Sequence, residues 1–129
     1  MSLNQFQSLP NGEPAIRTVA MPADANSNGD IFGGWVLSQM DIAGGVVASR
    51  RCRGRSATVA IEAMTFHKPV FIGDLVSIYA SISKVGNSSM TVKVDAVATR
   101  KDTGEEVNVT EGTFIYVAID IDGKSRAVG

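Results

Sequence analysis

The sequence has few of the side chains that bind metals or carry redox chemistry. Its 129 residues include one histidine, His67, and one cysteine, Cys52, which do not form a ligand pair at a useful spacing. It contains no Walker-type loop and no G-x-G-x-x-G stretch, so no nucleotide cofactor site is indicated. A single cysteine excludes an internal disulfide framework and is typical of a reducing compartment. We therefore expect a cytoplasmic protein that binds no metal and no separate cofactor.

The sequence also lacks an excess of one charge and a long apolar run. Its formal net charge is −1 with both signs scattered, which excludes a nucleic-acid-binding surface and a polybasic membrane anchor. No apolar stretch approaches the length that spans a membrane, and the N-terminus lacks a signal-peptide pattern. At 44% hydrophobic residues, the chain has enough apolar surface for one core. We expect a flexible arm over residues 1–13 and a single domain over residues 14–129.

The order of predicted elements indicates the fold class. A short strand over residues 15–21 precedes a helix from about Gly34 to Ser49. Turn signals then separate four predicted strands, over residues 56–66, 74–84, 88–100 and 106–120, which we expect to form a four-stranded meander. This order predicts an α+β domain in which the helix lies against one face of a largely antiparallel sheet.

The predicted helix is apolar almost all the way round. Between Trp35 and Ala48 its only polar side chains are Ser38, Gln39 and Asp41. A helix on the surface of a protein shows a polar face. We therefore expect this helix to be buried by the rest of the fold together with a second copy of the chain.

Asp41 is the exceptional residue of the helix, because carboxylates are rarely buried unless something binds or uses them. One interpretation is structural: Asp41 bonds a nearby backbone N–H and fixes the packing. The other is functional: Asp41 is a general base or a nucleophile in a dry cleft. Gly33 and Gly34 leave the first N–H groups of the helix uncovered, and donors fixed there suit a reaction that develops an oxyanion.

Specific motifs resemble one family of enzymes. The stretch Met21-Pro-x-Asp-x-Asn-x-Asn-Gly-Asp-Ile-Phe-Gly-Gly-Trp35 and the following Ser38-Gln-Met-Asp41 are similar to the bacterial YciA-type acyl-CoA thioesterases and their brain acyl-CoA hydrolase relatives. The likeness continues through Val59-Ala-Ile-Glu-Ala-Met-x-Phe66, Lys68-Pro69, Gly73-Asp74, Lys84-Val-Gly86, Ser88-Ser89 and Gly123-Lys-Ser-Arg126. It implies the hotdog fold, in which an antiparallel sheet wraps around one long central helix.

The resemblance implies an activity and a pair of catalytic residues. The activity is hydrolysis of an acyl-CoA to a free carboxylic acid and CoA. In the family a helix aspartate and an asparagine of the preceding loop, contributed by opposite subunits of a dimer, form the site. Asp41 matches the aspartate and Asn26 matches the asparagine, although Asn26 has an alternative interpretation as a turn or cap residue. The likeness further implies a homodimer, with three dimers forming a hexamer.

For an acyl-CoA substrate, the donors along the chain suggest where each part of CoA binds. We expect the thioester carbonyl at the N–H groups near Gly33 and Gly34, and the pantetheine arm along the strand edge formed by Thr58, Val59 and Ala60. The turn between the predicted strands 74–84 and 88–100 offers N–H and hydroxyl donors for the nucleotide end. Its residues are Lys84, Gly86, Asn87, Ser88 and Ser89.

Three questions stay open at this point. Asp41 either deprotonates a water molecule or attacks the carbonyl to form an anhydride. A hydratase or dehydratase of acyl thioesters is an alternative function, but such enzymes pair a histidine with an acid, and we expect His67 to be structural or to face solvent. A non-catalytic acyl-CoA-binding module is the alternative outside the enzymes. Cys52 has arginine neighbours but no triad partners, and we interpret it as incidental.

Overall fold

The computed structural model describes residues 12–129, which form one long helix and a five-stranded antiparallel sheet. The predicted α+β class and the wrapped arrangement of sheet and helix are confirmed. The elements are β1 (Ile16–Val19), a 3-10 turn (Pro22–Asp24), α1 (Gly33–Cys52), β2 (Ser56–Phe66), β3 (Leu75–Val85), β4 (Ser89–Thr99) and β5 (Glu106–Ala118). The arm predicted for residues 1–13 lies outside the described residues except for its last two positions. In the described part of the chain, no helix has the length and apolar character needed to cross a membrane.

The strand order differs from the predicted meander in one place. The order in the sheet is β1-β3-β4-β5-β2, so β3, β4 and β5 form a meander but β2 pairs with β5 at the far edge. The connection between β2 and β3 covers residues 67–74, which is longer than the ~2–5 residues of a hairpin loop. This length lets the chain pass from one side of the sheet to the other. The prediction of a four-stranded meander was therefore wrong for β2.

Alternation along the strands separates a face that packs on the helix from an outer face. On β4, the side chains of Met90, Val92 and Val94 are fully buried, and they alternate with the outward Thr91 and Lys93. This period-two pattern is typical of a strand with one buried face. The inner face covers the buried side of α1, which consists of Val36, Met40, Ala43, Gly44, Ala48 and Cys52.

The opposite side of α1 is apolar and uncovered in the single chain. Ile42 and Val46 are 54% and 37% exposed. The neighbouring edge strand β2 exposes Val59 and Ile61 as well, at 58% and 41%. One sheet face therefore does not cover the helix. The expectation that a second copy covers the rest stays a prediction.

The C-terminal end of α1 is closed by a residue of the chain's tail. Arg53 takes the left-handed conformation that ends many helices, with φ 54°. The Arg126 guanidinium then donates a hydrogen bond to the Cys52 carbonyl at 2.9 Å, one of the carbonyls that a helix end leaves free. Gly54 leaves room for this contact, because a Cβ there would lie 2.6 Å from Arg126 Nη2 and would shift the end of that side chain. The tail and the helix end are thus fixed to each other.

Candidate active site

Asp41 lies on α1 where the helix packs on the paired strands β2 and β5. Its Oδ1 accepts a hydrogen bond from Thr58 Oγ1 at 2.7 Å and lies 3.1 Å from Tyr116 Oη. Thr58 and Tyr116 are direct cross-strand partners, so their side chains leave the sheet on the same face. Among residues 12–129, Asp41 Oδ2 has no hydrogen-bond partner. One carboxylate oxygen is therefore anchored and the other is free to react.

The Tyr116 hydroxyl contacts both the side chain and the backbone of Asp41. Its Oη lies 2.8 Å from the Asp41 carbonyl oxygen, closer than to the carboxylate. Tyr116 is only 1% exposed. Burial raises the pKa of the Tyr116 phenol, and the charge of Asp41 and its hydrogen bond raise it further. Tyr116 therefore keeps its proton in the ordinary pH range and acts as a donor.

The Tyr116 ring lies directly on the helix backbone at a glycine. A Cβ added to Gly44 would lie 2.9 Å from both Cε1 and Cζ of the ring and still closer to the hydroxyl oxygen. A Cβ added to the neighbouring Gly45 would lie 3.8 Å from Cε2, which is an ordinary contact. Gly44 is thus the position that lets the phenol reach Asp41.

The N-terminus of α1 presents two backbone N–H groups without acceptors. The Phe32 carbonyl accepts the N–H groups of both Trp35 and Val36, and no side chain in the described part of the chain caps the helix. Within the described residues, the N–H groups of Gly33 and Gly34 have no hydrogen-bond acceptor, and both residues are exposed. A Cβ at Gly34 would meet nothing within 4 Å. The two donors and the positive end of the helix dipole suit a developing oxyanion.

Within one chain, these donors and the carboxylate lie far apart. Asp41 follows Gly34 by seven positions, which is about 10 Å along the helix axis at ~1.5 Å per residue. The Asp41 side chain leans toward the helix N-terminus, but an aspartate side chain is too short to span that distance. A carbonyl bound at Gly34 is therefore beyond direct attack by the carboxylate of the same chain.

Asn26 stabilises the loop that leads into α1. Its Oδ1 accepts hydrogen bonds from the N–H groups of Asn28 at 2.9 Å and Asp30 at 3.1 Å. This is the turn role that the sequence offered as the alternative interpretation. The amide nitrogen of Asn26 has no acceptor among residues 12–129, so it remains an available donor. The two interpretations of Asn26 are compatible because they use different atoms of its side chain.

A buried ion pair between Arg100 and Asp74 stabilises the segment that packs against this loop. Arg100 Nη1 lies 2.6 Å from Asp74 Oδ2, and the side chains are 15% and 3% exposed. The same guanidinium nitrogen donates to the Pro69 carbonyl, and Asp74 accepts the N–H of Phe71. The segment fixed in this way accepts the Ile31 N–H through the Val70 carbonyl and forms a β-bridge between Phe71 and Asp30. The sequence showed Asp74 only as part of a family motif and gave no sign of its partner.

The residues predicted to bind CoA fall in two places. Thr58, Val59 and Ala60 lie on the edge strand, with a register shift between Thr58 and Ala60. Val59 points to solvent, whereas the Thr58 side chain turns to Asp41, a contact that sequence reasoning missed. The second group is the β3–β4 hairpin with Lys84, Gly86, Asn87, Ser88 and Ser89.

The β3–β4 hairpin is tied to the end of the chain. The Asn87 carbonyl accepts the Val128 N–H at 2.8 Å, and the Ser88 carbonyl accepts the Ala118 N–H at 2.9 Å. The Gly86 N–H donates to the Ser89 carbonyl across the turn, while Lys84 is exposed. The hairpin is thus held in place with its lysine exposed. Its predicted contact with the CoA nucleotide stays a prediction.

His67 belongs to a different part of the molecule. Its Nε2 lies 3.4 Å from the Glu111 carboxylate, and both side chains are well exposed. Glu111 is the cross-strand partner of Asp95 on the outer face of the sheet, away from α1. Burial raises the pKa of Asp95, Lys93 counteracts this, and Glu111 adds to it. The histidine–acid pair that a hydratase needs is therefore not formed with Asp41.

Across residues 12–129, no three His, Cys, Asp or Glu side chains are grouped as metal ligands.

Comparisons with known proteins find relatives along nearly the whole chain. The family described as the thioesterase superfamily matches residues 28–105. The acyl-CoA thioester hydrolase YciA of Salmonella typhimurium is 45% identical over 127 residues, which cover 96% of each chain. The hexameric thioesterase y2039 from Yersinia pestis is 50% identical with a TM-score of 0.89, over 94% of this chain and 98% of that one. HI0827, a hexameric broad specificity acyl-coenzyme A thioesterase, is 42% identical with a TM-score of 0.90, over 98% and 87%.

Proposed function

Because this chain belongs to the thioesterase superfamily, we propose that it hydrolyses acyl-CoA thioesters to a free carboxylic acid and CoA. The main support from the structure is the Asp41 carboxylate, with Oδ1 held by Thr58 and Oδ2 free. A carboxylate that is held in one orientation and keeps one oxygen unbonded suits a general base or a nucleophile. The YciA relatives, which are acyl-CoA thioester hydrolases, support the choice of substrate.

In the proposed reaction, the thioester carbonyl oxygen accepts hydrogen bonds from the N–H groups of Gly33 and Gly34. Oδ2 of Asp41 takes a proton from an attacking water molecule, or attacks the carbonyl carbon itself. The tetrahedral intermediate collapses with release of the CoA thiolate, which is a good leaving group. If Oδ2 was the nucleophile, a water molecule then hydrolyses the acyl–Asp41 anhydride, which releases the free acid and restores the carboxylate. The chemistry requires no metal and no separate cofactor, so neither is part of the proposal.

We propose that the reacting groups come from opposite subunits of a homodimer. About 10 Å of helix separates Gly34 from Asp41 in one chain, whereas a partner related by a two-fold axis can bring its own Asp41 to this helix end. The exposed apolar side chains of α1 and β2, such as Ile42 and Val59, supply a surface for that contact. The side-chain amide N–H of Asn26 would then orient the substrate or the water molecule at the site that contains the partner's carboxylate.

A hexamer made of three such dimers is the proposed assembly. The solved relatives y2039 and HI0827 are hexameric thioesterases, and the described residues superpose on them closely. The pantetheine arm is proposed to follow Val59 and Ala60 on β2, with the nucleotide near Lys84 on the β3–β4 hairpin. Because the nucleotide does not change during the reaction, product CoA should compete with substrate. The cytoplasmic location inferred from the single cysteine stays a prediction.

The experiment that tests the function measures thiol release from butyryl-CoA with a thiol reagent. The wild-type protein should release CoA, and Asp41→Asn should lower kcat by about 100-fold or more, as expected for loss of a general base. Asp102→Asn, in the exposed β4–β5 turn, is the matched control and should keep full activity. Binding of butyryl-CoA without thiol release would show a binding module instead. Equal activity of Asp41→Asn and Asp102→Asn would exclude Asp41 from the chemistry.

A further inference from the structure

Among residues 12–129, Tyr116 is the one buried side chain whose hydroxyl contacts both the carboxylate and the backbone carbonyl of Asp41. We propose that Tyr116 is a positioning residue that holds Oδ1 of Asp41 and thereby makes Oδ2 the reacting oxygen. This inference rests on the proposed function. It assigns the two oxygens of the carboxylate different tasks.

The contacts of Asp41 show how the orientation of its carboxylate is fixed. A free aspartate on a helix rotates about two side-chain bonds, and either oxygen then faces the substrate. Thr58 donates to Oδ1 from β2 at 2.7 Å, and Tyr116 approaches the same oxygen from β5 at 3.1 Å. Because the Tyr116 hydroxyl also lies 2.8 Å from the Asp41 carbonyl, one group fixes the carboxylate relative to its own backbone. Together these contacts hold Oδ1 against the sheet and leave Oδ2 without a hydrogen-bond partner among residues 12–129.

The phenol has one proton and two acceptors, which gives it a second task. At 2.8 Å the carbonyl is the nearer acceptor, and a small rotation of the hydroxyl turns the same proton to Oδ1. The hydroxyl proton of Tyr116 points to Oδ1 while the Asp41 carboxylate is charged. It turns back to the Asp41 carbonyl when Oδ2 has accepted a proton from water. The phenol donates throughout and never transfers its proton, as its raised pKa supports.

The direct test is Tyr116→Phe, which keeps the ring and removes only the hydroxyl. A hydrogen bond to a charged group is lost, so kcat should fall about 10- to 100-fold. KM should stay within about twofold, because the phenol does not touch the substrate. A purely structural role would instead reduce the amount of folded protein and leave the kcat of that fraction unchanged. A kcat within threefold of wild type, measured per folded protomer, would overturn the inference.

The strand partner provides a rescue test. Thr58→Val removes the second donor to Oδ1 at nearly constant volume, whereas Thr58→Ser keeps the hydroxyl. Thr58→Val should lower kcat and Thr58→Ser should restore most of it. Because both donors serve one oxygen, the combination of Thr58→Val with Tyr116→Phe should depart from the product of the two single effects. Strictly independent effects would contradict a shared oxygen.

A spectroscopic measurement covers the case in which Tyr116→Phe does not fold. The sequence has two tyrosines, and Tyr79 is on the outer face of the sheet, so Tyr79→Phe leaves Tyr116 as the single site for 3-fluorotyrosine. Its 19F resonance should shift when Asp41→Asn is added and stay in place when Asp95→Asn is added. An unchanged resonance in Asp41→Asn protein would overturn the inference. If wild-type protein released no thiol from acyl-CoA, the proposed function would fail, whatever the resonance did.

Discussion

Replacing Gly44 by alanine should disable the site by moving Tyr116. The added Cβ would lie 2.9 Å from two ring carbons, whereas carbon atoms in good contact are about 3.5–4.0 Å apart. The ring must therefore retreat by roughly 0.5–1 Å. A shift of that size lengthens the two contacts of Tyr116 Oη with Asp41, now 2.8 and 3.1 Å, to or beyond the limit of a hydrogen bond.

The effect on stability should be smaller than the effect on rate. Overpacking a core costs about 1–3 kcal/mol, and the gain from replacing a helical glycine by alanine offsets about 1 kcal/mol of it. We therefore expect Gly44→Ala to unfold at a slightly lower denaturant concentration and to lose about 10- to 100-fold in kcat. Denaturant unfolding and thiol release from butyryl-CoA, measured on the same preparation, separate the two quantities.

Gly45→Ala is the matched control because it carries the same change one position along the helix. Its Cβ would lie 3.8 Å from the Tyr116 ring, so the ring has no reason to move. At an unchanged oligomeric mass, Gly45→Ala should keep its activity. The reasoning is refuted if Gly44→Ala retains kcat within threefold of wild type, or if both variants lose activity equally while the assembly stays intact.

Three further predictions concern assembly, the loop and pH. Asn26→Ala and Asp41→Ala homodimers should each be impaired, whereas random co-refolding should restore about a quarter of the sites, because a mixed dimer has one site with neither substitution; no recovery would place both residues in one subunit. Arg100→Ala should lower the free energy of unfolding in urea by about 3–5 kcal/mol, because it leaves the buried Asp74 carboxylate without its partner. Because the pKa of Tyr116 is raised in the folded state, the folded protein keeps a proton that an unfolded tyrosine loses above about pH 10, so stability should fall as the pH rises further. Tyr116→Phe should remove that part of the fall in urea titrations at alkaline pH.

The sequence was sufficient for the elements and for the position of the carboxylate. The period-two pattern of β4 indicates its inner face, and an acid within a nearly all-apolar helix singled out Asp41. The all-apolar helix gave no sign of which of its sides faces the sheet. These signals are local, because each depends on residues within a few positions of one another. Pairing is not local. The partner of β2 is decided by where a loop of eight residues, 67–74, delivers the chain, and the pattern of β2 alone does not specify that partner.

The same limit explains why Thr58 and Tyr116 were not assigned to Asp41. They are 17 and 75 positions away from it in the sequence, and the strand register that brings them together depends on the β2–β5 pairing. One signal was nevertheless present. Gly44 lies in the middle of a helix, where glycine costs about 1 kcal/mol relative to alanine. A close approach by a bulky side chain is one reason for such a residue, and the alternation of β5 places Tyr116 on the inner face.

The position of Thr58 connects the assembly of the protein to its chemistry. Thr58 is on the edge strand, immediately before the register shift at Val59, and Val59 itself is 58% exposed in the single chain. An edge strand with a bulge and an uncovered apolar side chain is less constrained than a strand that is paired on both sides. In the proposed dimer, a partner that covers Val59 also restrains the adjacent Thr58 hydroxyl, and hence the orientation of Asp41. An isolated subunit would then lack the partner's carboxylate, and the orientation of its own Asp41 would be less well fixed. Dissociation of the dimer should therefore abolish activity before the subunits unfold.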